Sequence, residues 1–191
     1  TNSDTILRCT QAGTEKDRGH YNRSWFCSSD SRNVNTLENR LGKLMQTFLP
    51  YADSRRSAKC LDYKRLGKQR VEASQIYKIV SGERTTGGWI NHPAVIMWGG
   101  YKDALAVYHN EMIDEWISRG YNNTMAHLPV WKVEVPWWWG DKSLHASHRS
   151  NLLRKDSDFY GQYDWTEPDN LEYVWHKGAR KNNGKAKLEA V

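Results

Sequence analysis

One carboxylate in the stretch LDYKRLGKQRVEA, residues 61–73, stands among cations at helical spacing. Glu72 follows Lys68 by four residues, so the two side chains would meet on one face of a helix. Two roles fit this spacing: a surface salt bridge, or a general acid or base beside a substrate. The neighbouring cations would keep the Glu72 carboxyl ionised unless the carboxyl were buried.

The cations around Glu72 offer a second kind of chemistry, the binding of phosphates. The candidate phosphate-binding side chains here are Arg55, Arg56, Lys64, Arg65, Gln69 and Arg70. Basic side chains near phosphates release counterions, which gives affinity without sequence preference. The whole chain is basic, with a net charge of +6 and a pI near 9.2, so nucleic acid is the first candidate partner. A basic protein whose charges are merely solvated is the alternative.

A second polar cluster lies in LHASHRSNLLRK, residues 144–155. Its candidate DNA-binding side chains are His145, His148, Arg149, Asn151 and Lys155. Such groups donate hydrogen bonds to oxygen, which suits contacts with phosphates or bases. The two histidines lack a third ligand at a helical offset, so no metal and no other cofactor is expected. A solvated helix face is the alternative for this cluster.

Tryptophans form a third feature. Trp137, Trp138 and Trp139 are consecutive, and Trp89 stands shortly before His92, which joins the DNA-binding candidates. Tryptophan can stack on an unpaired base. Three consecutive indoles cannot all point one way, and burial in a core that is short of aliphatic residues is the alternative.

These clusters need helices to position them. Helical apolar spacing and capping residues predict helices over about 54–61, 64–80, 101–119 and 141–155, with a further one starting at Pro93. Residues 121–140 contain two prolines and the Trp triplet and are predicted to be irregular. The predicted fold class is mostly α: a compact single-domain bundle of three to four main helices with irregular, aromatic-rich connections.

Composition divides the chain into three parts. Residues 1–44 are polar without periodicity and are predicted to be a disordered extension, residues 45–176 a folded unit, and residues 177–191 a basic flexible tail. The three cysteines form no CxxC motif, which favours a reducing interior over a disulfide framework. No run of residues is apolar and long enough for a membrane span. We expect a cytoplasmic monomer without a membrane partner.

Four motifs follow one another along the chain: MQTFLPYADSRRSAKCLDYKRLGKQRVEA, GWINHPAVIMWGGY, HRSNLLRKD and LEYVW. Together they resemble the pyrimidine-dimer DNA glycosylase family of phage endonuclease V type, above all its bacterial and phage branch that opens with MQTFLP. The resemblance covers about residues 45–176. It implies an all-α DNA-repair enzyme, in a bacterium or a phage-infected host, that binds duplex DNA with a damaged base.

The resemblance also implies a chemistry. Better-known members cut the glycosylic bond at a cyclobutane pyrimidine dimer and then nick the backbone as an AP lyase. Their nucleophile is the α-amine of the mature N-terminus, which forms a Schiff base, and a glutamate assists it. Met45 would carry that amine if translation started there, whereas a chain that begins at Thr1 has no amine at this position.

Other residues could take these roles. Glu72 is the nearest counterpart of the family's glutamate, with Asp62 second. A lysine nucleophile, Lys64 or Lys68, would also support a lyase mechanism, because cationic neighbours can lower the pKa of an amine. A monofunctional glycosylase, in which Glu72 or Asp62 activates water, needs no amine.

Three functions therefore stay open. The first is a DNA glycosylase, with or without AP-lyase activity, that acts on damaged or modified pyrimidines in duplex DNA. The second is a non-catalytic DNA-binding protein on the same scaffold, and the third a glycosylase for hypermodified phage bases. All three require residues 55–72 and 144–155 to form one groove.

Overall fold

The computed structural model describes residues 45–179. Its helices are α1 (Ser54–Cys60), α2 (Tyr63–Val80), α3 (Pro93–Trp98), α4 (Lys102–Ser118), α5 (Lys142–Lys155) and α6 (Ser157–Tyr160), followed by a 3-10 turn, Gly161–Tyr163. No β-strand occurs within these residues. The predicted mostly α class is thus confirmed. The predictions for residues 1–44, and for the tail beyond residue 179, lie outside the described residues.

The helices begin where the sequence places capping side chains. Asp53, Asp62 and Asp141 accept hydrogen bonds from the first backbone N–H groups of α1, α2 and α5. At α3 the imidazole of His92 accepts the N–H of Ala94, and a proline takes the first helical position. Because these signals are local, the predicted and observed helix starts nearly coincide.

The core forms where α2 packs along α4. Leu66 and Ile76 of α2 and Tyr108 and Met112 of α4 are all inaccessible to solvent. A Cβ atom at Gly67 would lie 2.9 Å from the ring of Trp116, so a glycine lets the two helices approach closely at this point.

Arg119 fixes the C-terminal end of α4 beside the start of α2. Its guanidinium donates hydrogen bonds to the carbonyl oxygens of Ala58, Lys59 and Leu61. These carbonyls belong to the end of α1 and the residue after it, where no further helical turn can use them. One side chain therefore joins the C-terminal ends of α1 and α4.

The irregular stretch after α4 separates the Trp triplet into three environments. Trp138 is inaccessible and packs edge-on against Trp98, Trp139 is half-buried, and Trp137 is 63% exposed. The alternating residues 130–135 form no strand and are mostly exposed. Among residues 45–179, no helix combines the length and apolarity that crossing a bilayer needs.

Candidate active site and nucleic-acid interface

Glu72 is a buried carboxylate in the middle of α2. Its side chain lies between Lys68, whose Nζ is 3.3 Å from Oε1, and Gln69, whose amide donates to Oε2 over 2.8 Å. The backbone nitrogen of Gln46 lies 3.5 Å from the same Oε2. Burial raises the pKa of Glu72, and Lys68 only partly opposes that effect. A carboxyl whose pKa is raised toward neutrality is suited to exchange protons with a substrate.

Gln69 fixes the orientation of that carboxylate. Its Oε1 accepts the N–H of Phe48 over 3.0 Å and the hydroxyl of Tyr108 over 2.7 Å. Because the amide oxygen is engaged in this way, the amide N–H₂ must point at Glu72. The inaccessible side chain of Gln69 therefore acts as an internal brace, and its predicted contact with DNA stays a prediction.

Two histidines of α5 contact the backbone of Leu49, one at its N–H group and one at its carbonyl oxygen. His148 Nδ1 accepts the N–H of Leu49 over 2.7 Å, and His145 Nδ1 lies 2.7 Å from the carbonyl oxygen of Leu49. Both imidazoles are buried, as is Asn151, which donates to the carbonyls of Ser147 and Leu171. These three side chains therefore position the chain from inside, and their direct contact with DNA stays a prediction.

The two basic segments meet at Arg65 and Lys155. Arg65 Nη2 donates to the carbonyl oxygen of Lys155 over 3.0 Å, and its Nη1 lies 3.3 Å from Asp156. Partial burial, together with the charges of Arg65, Arg154 and Lys68, lowers the pKa of Lys155. The start of α2 and the end of α5 are thus neighbours, as one shared groove requires.

Cations border Glu72 on the exposed side of this junction. The exposed or half-buried ones near it are Arg65, Lys68, Arg154 and Lys155, whereas Lys64 lies at the start of α2, with Nζ 5.8 Å from the ring centre of Tyr63. Arg154 was not among the residues that sequence spacing selected; it contacts the Asn151 amide oxygen. Such a cluster beside a carboxylate suits the backbone of a nucleic acid.

Other predicted DNA-binding cations have partners within the protein. Arg55 pairs with Glu111, and the guanidinium of Arg56 lies 3.8 Å from the ring centre of Tyr51. Arg70 stacks on Trp116 and donates to Asn123. These contacts give each side chain a structural role, so their part in DNA binding stays a prediction.

Arg149 and His92 are likewise engaged. Arg149 Nε donates to Glu167 over 2.9 Å, and its Nη1 donates to the carbonyl oxygen of Pro50 over 2.7 Å. His92 caps α3 and lies against Trp89 and Trp175. Contact of these two side chains with DNA also stays a prediction.

Asp62, the second candidate carboxylate, is committed to the fold. It caps α2, accepts the hydroxyl of Tyr160 over 2.6 Å and pairs with Arg65 over 2.7 Å. Although burial opposes them, these hydrogen bonds hold the pKa of Asp62 below its usual value. Ten residues of helix, about 15 Å, separate it from Glu72. The geometry therefore favours Glu72 for proton transfer.

Among residues 45–179, the buried polar atoms without a hydrogen-bond partner include Gln46 Nε2, His148 Nε2 and the Tyr173 hydroxyl. His148 Nδ1 accepts a hydrogen bond, so in the neutral ring the hydrogen is on Nε2. The Gln46 side chain lies beside the Tyr173 hydroxyl, and the charge of Glu72 acts on the same group. Sequence spacing did not select Gln46 or Tyr173, because only the fold brings residues 45–50 and 173 to α2.

Within the described part of the chain, no three histidine, cysteine or acidic side chains cluster as metal ligands would.

Comparison with known families gives this site a context. Residues 45–129, which include Glu72, Lys68 and the segment 45–50, match the family model described as pyrimidine dimer DNA glycosylase. This match, which covers 85 of the 191 residues, confirms the resemblance to that family. No curated protein and no solved structure matches the chain significantly.

Proposed function

We propose that this protein is a DNA glycosylase that releases a damaged or modified pyrimidine from duplex DNA, with Glu72 as its general acid–base. The observation that carries the proposal is the buried Glu72 carboxylate, held by Gln69 and Lys68 at a rim of cations. The carboxylate lies in the segment that matches the glycosylase family.

Base release needs a nucleophile at C1′ of the sugar. The lone pair of the nucleophile forms the new bond to C1′, the C1′–N1 bond breaks, and its electron pair leaves with the base, which gains a proton. Glu72 accepts the proton that the nucleophile loses. The raised pKa of Glu72 makes that carboxyl a better proton acceptor than an ordinary surface glutamate.

For the AP-lyase step, Lys68 is the side-chain amine placed beside Glu72. Its Nζ lies 3.3 Å from Glu72 Oε1, and more than half of its side chain is exposed to solvent, where a sugar can approach. Attack of the amine on the abasic sugar gives an imine and releases water, and removal of a proton from C2′ then expels the 3′ phosphate. Glu72 is close enough to Lys68 to take part in both proton transfers.

An α-amine is the second source of a nucleophile. The nitrogen of Gln46 is a peptide nitrogen in this chain, yet it lies 3.5 Å from Glu72 Oε2. A chain processed to start at Gln46 would therefore place a free α-amine beside the same carboxylate. Met45, the other candidate for the terminal amine, is buried next to it.

The test uses a duplex that carries one cyclobutane pyrimidine dimer and a second duplex that carries one abasic site. We expect the wild-type protein to break the glycosylic bond at the dimer. Borohydride should trap a covalent adduct on the abasic duplex, and peptide mapping should place that adduct on Lys68 in the full chain.

The outcomes separate the alternatives. Base release without an adduct indicates the water mechanism, and an adduct on a terminal amine indicates the processed chain. Release confined to a hypermodified pyrimidine would narrow the substrate class. Salt-sensitive duplex binding without release from any damaged or modified pyrimidine would contradict the proposal and favour a non-catalytic DNA-binding protein.

A further inference from the structure

A cleft of about 690 Å³ lies beside the end of α3, lined by residues that the Glu72 site does not use. The lining consists of Tyr101, Trp137, Trp175, His176, Lys177, Gly178 and Ala179. Its volume falls in the range of small-molecule sites. Three of the lining side chains are aromatic and one is a cation.

Trp137 is exposed and nevertheless held in place. Its indole N–H donates to the carbonyl oxygen of Lys177 over 3.0 Å, and its ring meets His176 edge-on at 4.8 Å between ring centres. The next residue, Trp138, is inaccessible and donates to the carbonyl oxygen of Met97, which anchors the chain at this point. A fixed aromatic surface loses little conformational freedom when a ligand binds to it.

Residues 178 and 179 of the lining are fixed by backbone hydrogen bonds. The N–H of Gly178 donates to the carbonyl oxygen of Ile96 over 2.9 Å, and that of Ala179 to Gly99 over 2.8 Å. A Cβ atom at position 178 would clash with the carbonyl oxygens of Gly99 and Ile96, so only glycine permits this approach. The cleft is therefore part of the folded structure.

The charges at the cleft favour a nucleotide over a cationic ligand. An aromatic cage for a quaternary ammonium group would benefit from a free carboxylate nearby. Asp141 is the neighbouring carboxylate, but Oδ1 accepts two hydrogen bonds from Ser143 and Oδ2 lies 2.8 Å from His176 Nε2. Lys177 adds a positive charge that would repel a cation and attract a phosphate.

An aromatic path joins the cleft to the Glu72 site. Trp175 of the cleft lies 5.7 Å from Tyr173, between ring centres, and Tyr173 lies 5.9 Å from His148. The Tyr173 hydroxyl is beside Gln46, whose backbone nitrogen faces Glu72. Residues 173–175 therefore connect the lining of the cleft with the surroundings of Glu72.

We propose that the Trp137 cleft binds the base of an unpaired nucleotide, with Lys177 at its phosphate. The choice of DNA as the partner rests on the proposed function. The cleft and its exposed tryptophan are features of the structure and do not depend on that function. Because every base has a stacking face, this site would recognise unpairing rather than sequence.

Fluorescence of 2-aminopurine tests the proposal without any lesion or catalysis. Two duplexes are compared, one with 2-aminopurine as a single unpaired nucleotide and one with it paired. The full-length wild-type protein should quench the unpaired probe and bind its duplex about tenfold more tightly. Trp137→Ala should abolish both effects while binding of the paired duplex is unchanged.

Trp131→Ala is the matched control, because Trp131 is 79% exposed and lies outside the cleft lining. It should behave like the wild type, and Trp137→Phe should retain part of the preference. A preference that survives Trp137→Ala, or no preference in the wild type, would overturn the proposal. So would competition by a trimethyllysine peptide but not by a single-stranded oligonucleotide.

The two proposals fail separately. If base release is observed but the unpaired duplex is not preferred, only the proposed nucleotide site at Trp137 is wrong. If the preference is observed but no base is released, only the proposed glycosylase activity is wrong.

Discussion

The backbone nitrogen of Gln46 and Oε2 of Glu72 lie 3.5 Å apart although 26 residues separate them in sequence. The contact exists because Gln69 and the α5 histidines hold residues 48 and 49 in place. The first residues of the family match and its buried carboxylate therefore form one site. Substitutions at Glu72, Lys155 and His148 should therefore affect different properties: base release, the salt dependence of DNA binding and the pH dependence of stability.

Acid should destabilise the protein through His148. Burial, together with the charges of His145 and Arg149, lowers the pKa of His148 from 6.5 to about 3. The unfolded chain therefore binds one more proton between these values, and the free energy of unfolding rises with pH there, by up to about 1.4 kcal/mol per unit.

Denaturant titrations at several pH values measure this slope. His148→Asn keeps an acceptor for the N–H of Leu49 but does not titrate, so the slope should decrease. An unchanged slope in His148→Asn would show that another group causes the acid sensitivity.

Asp62→Asn should affect stability more than chemistry. The substitution weakens the pairing with Arg65 and the bond from Tyr160 while it keeps a helix-capping side chain. We expect a loss of about 1–3 kcal/mol in urea denaturation, because a charged hydrogen-bond partner is removed. Base release per folded molecule should stay near the wild-type rate. A catalytic defect at full stability would transfer the acid–base role to Asp62.

Duplex binding should depend on salt through the cations near Glu72. Lys155→Ala should reduce the slope of log K against log salt concentration by about 0.9 for each phosphate contact that is lost. Lys78→Ala is the control, because Lys78 is exposed in the last turn of α2, about 15 Å along the helix from Lys68. Equal reductions in both variants would show that DNA does not lie preferentially over this cluster.

Stability should also respond to Glu72. Burial raises the pKa of this carboxyl in the folded state, so the folded protein holds a proton that the unfolded chain releases. The free energy of unfolding should therefore fall as pH rises from the ordinary glutamate value through the raised one. Glu72→Gln should reduce that fall in denaturation experiments, and an identical fall in the variant would contradict a raised pKa.

The sequence predicted the helices well because their signals are local. Asp53, Asp62, His92 and Asp141 each lie beside the helix start that they cap, and apolar spacing identifies the helical residues after each cap. The short helix α6 was missed, since four residues provide too little periodicity.

The site was harder to predict because its contacts join distant parts of the chain. His148 is 99 residues from Leu49, so the spacing within α5 could not show that its polar side is buried. The same holds for Arg149, which reaches Pro50 across an equal separation. Glu72 was found from its cationic neighbours, but its burial, which sets its chemistry, depends on residues 45–50.

The most direct test of the role of Glu72 is single-turnover base release from a duplex with one cyclobutane pyrimidine dimer, with wild-type protein and Glu72→Gln in excess over DNA. We predict that the substitution slows release by about 10²–10⁴-fold while duplex affinity is retained. Glu111→Gln, which alters a carboxylate paired with Arg55, should match the wild type. Release at the wild-type rate by Glu72→Gln would contradict the central claim.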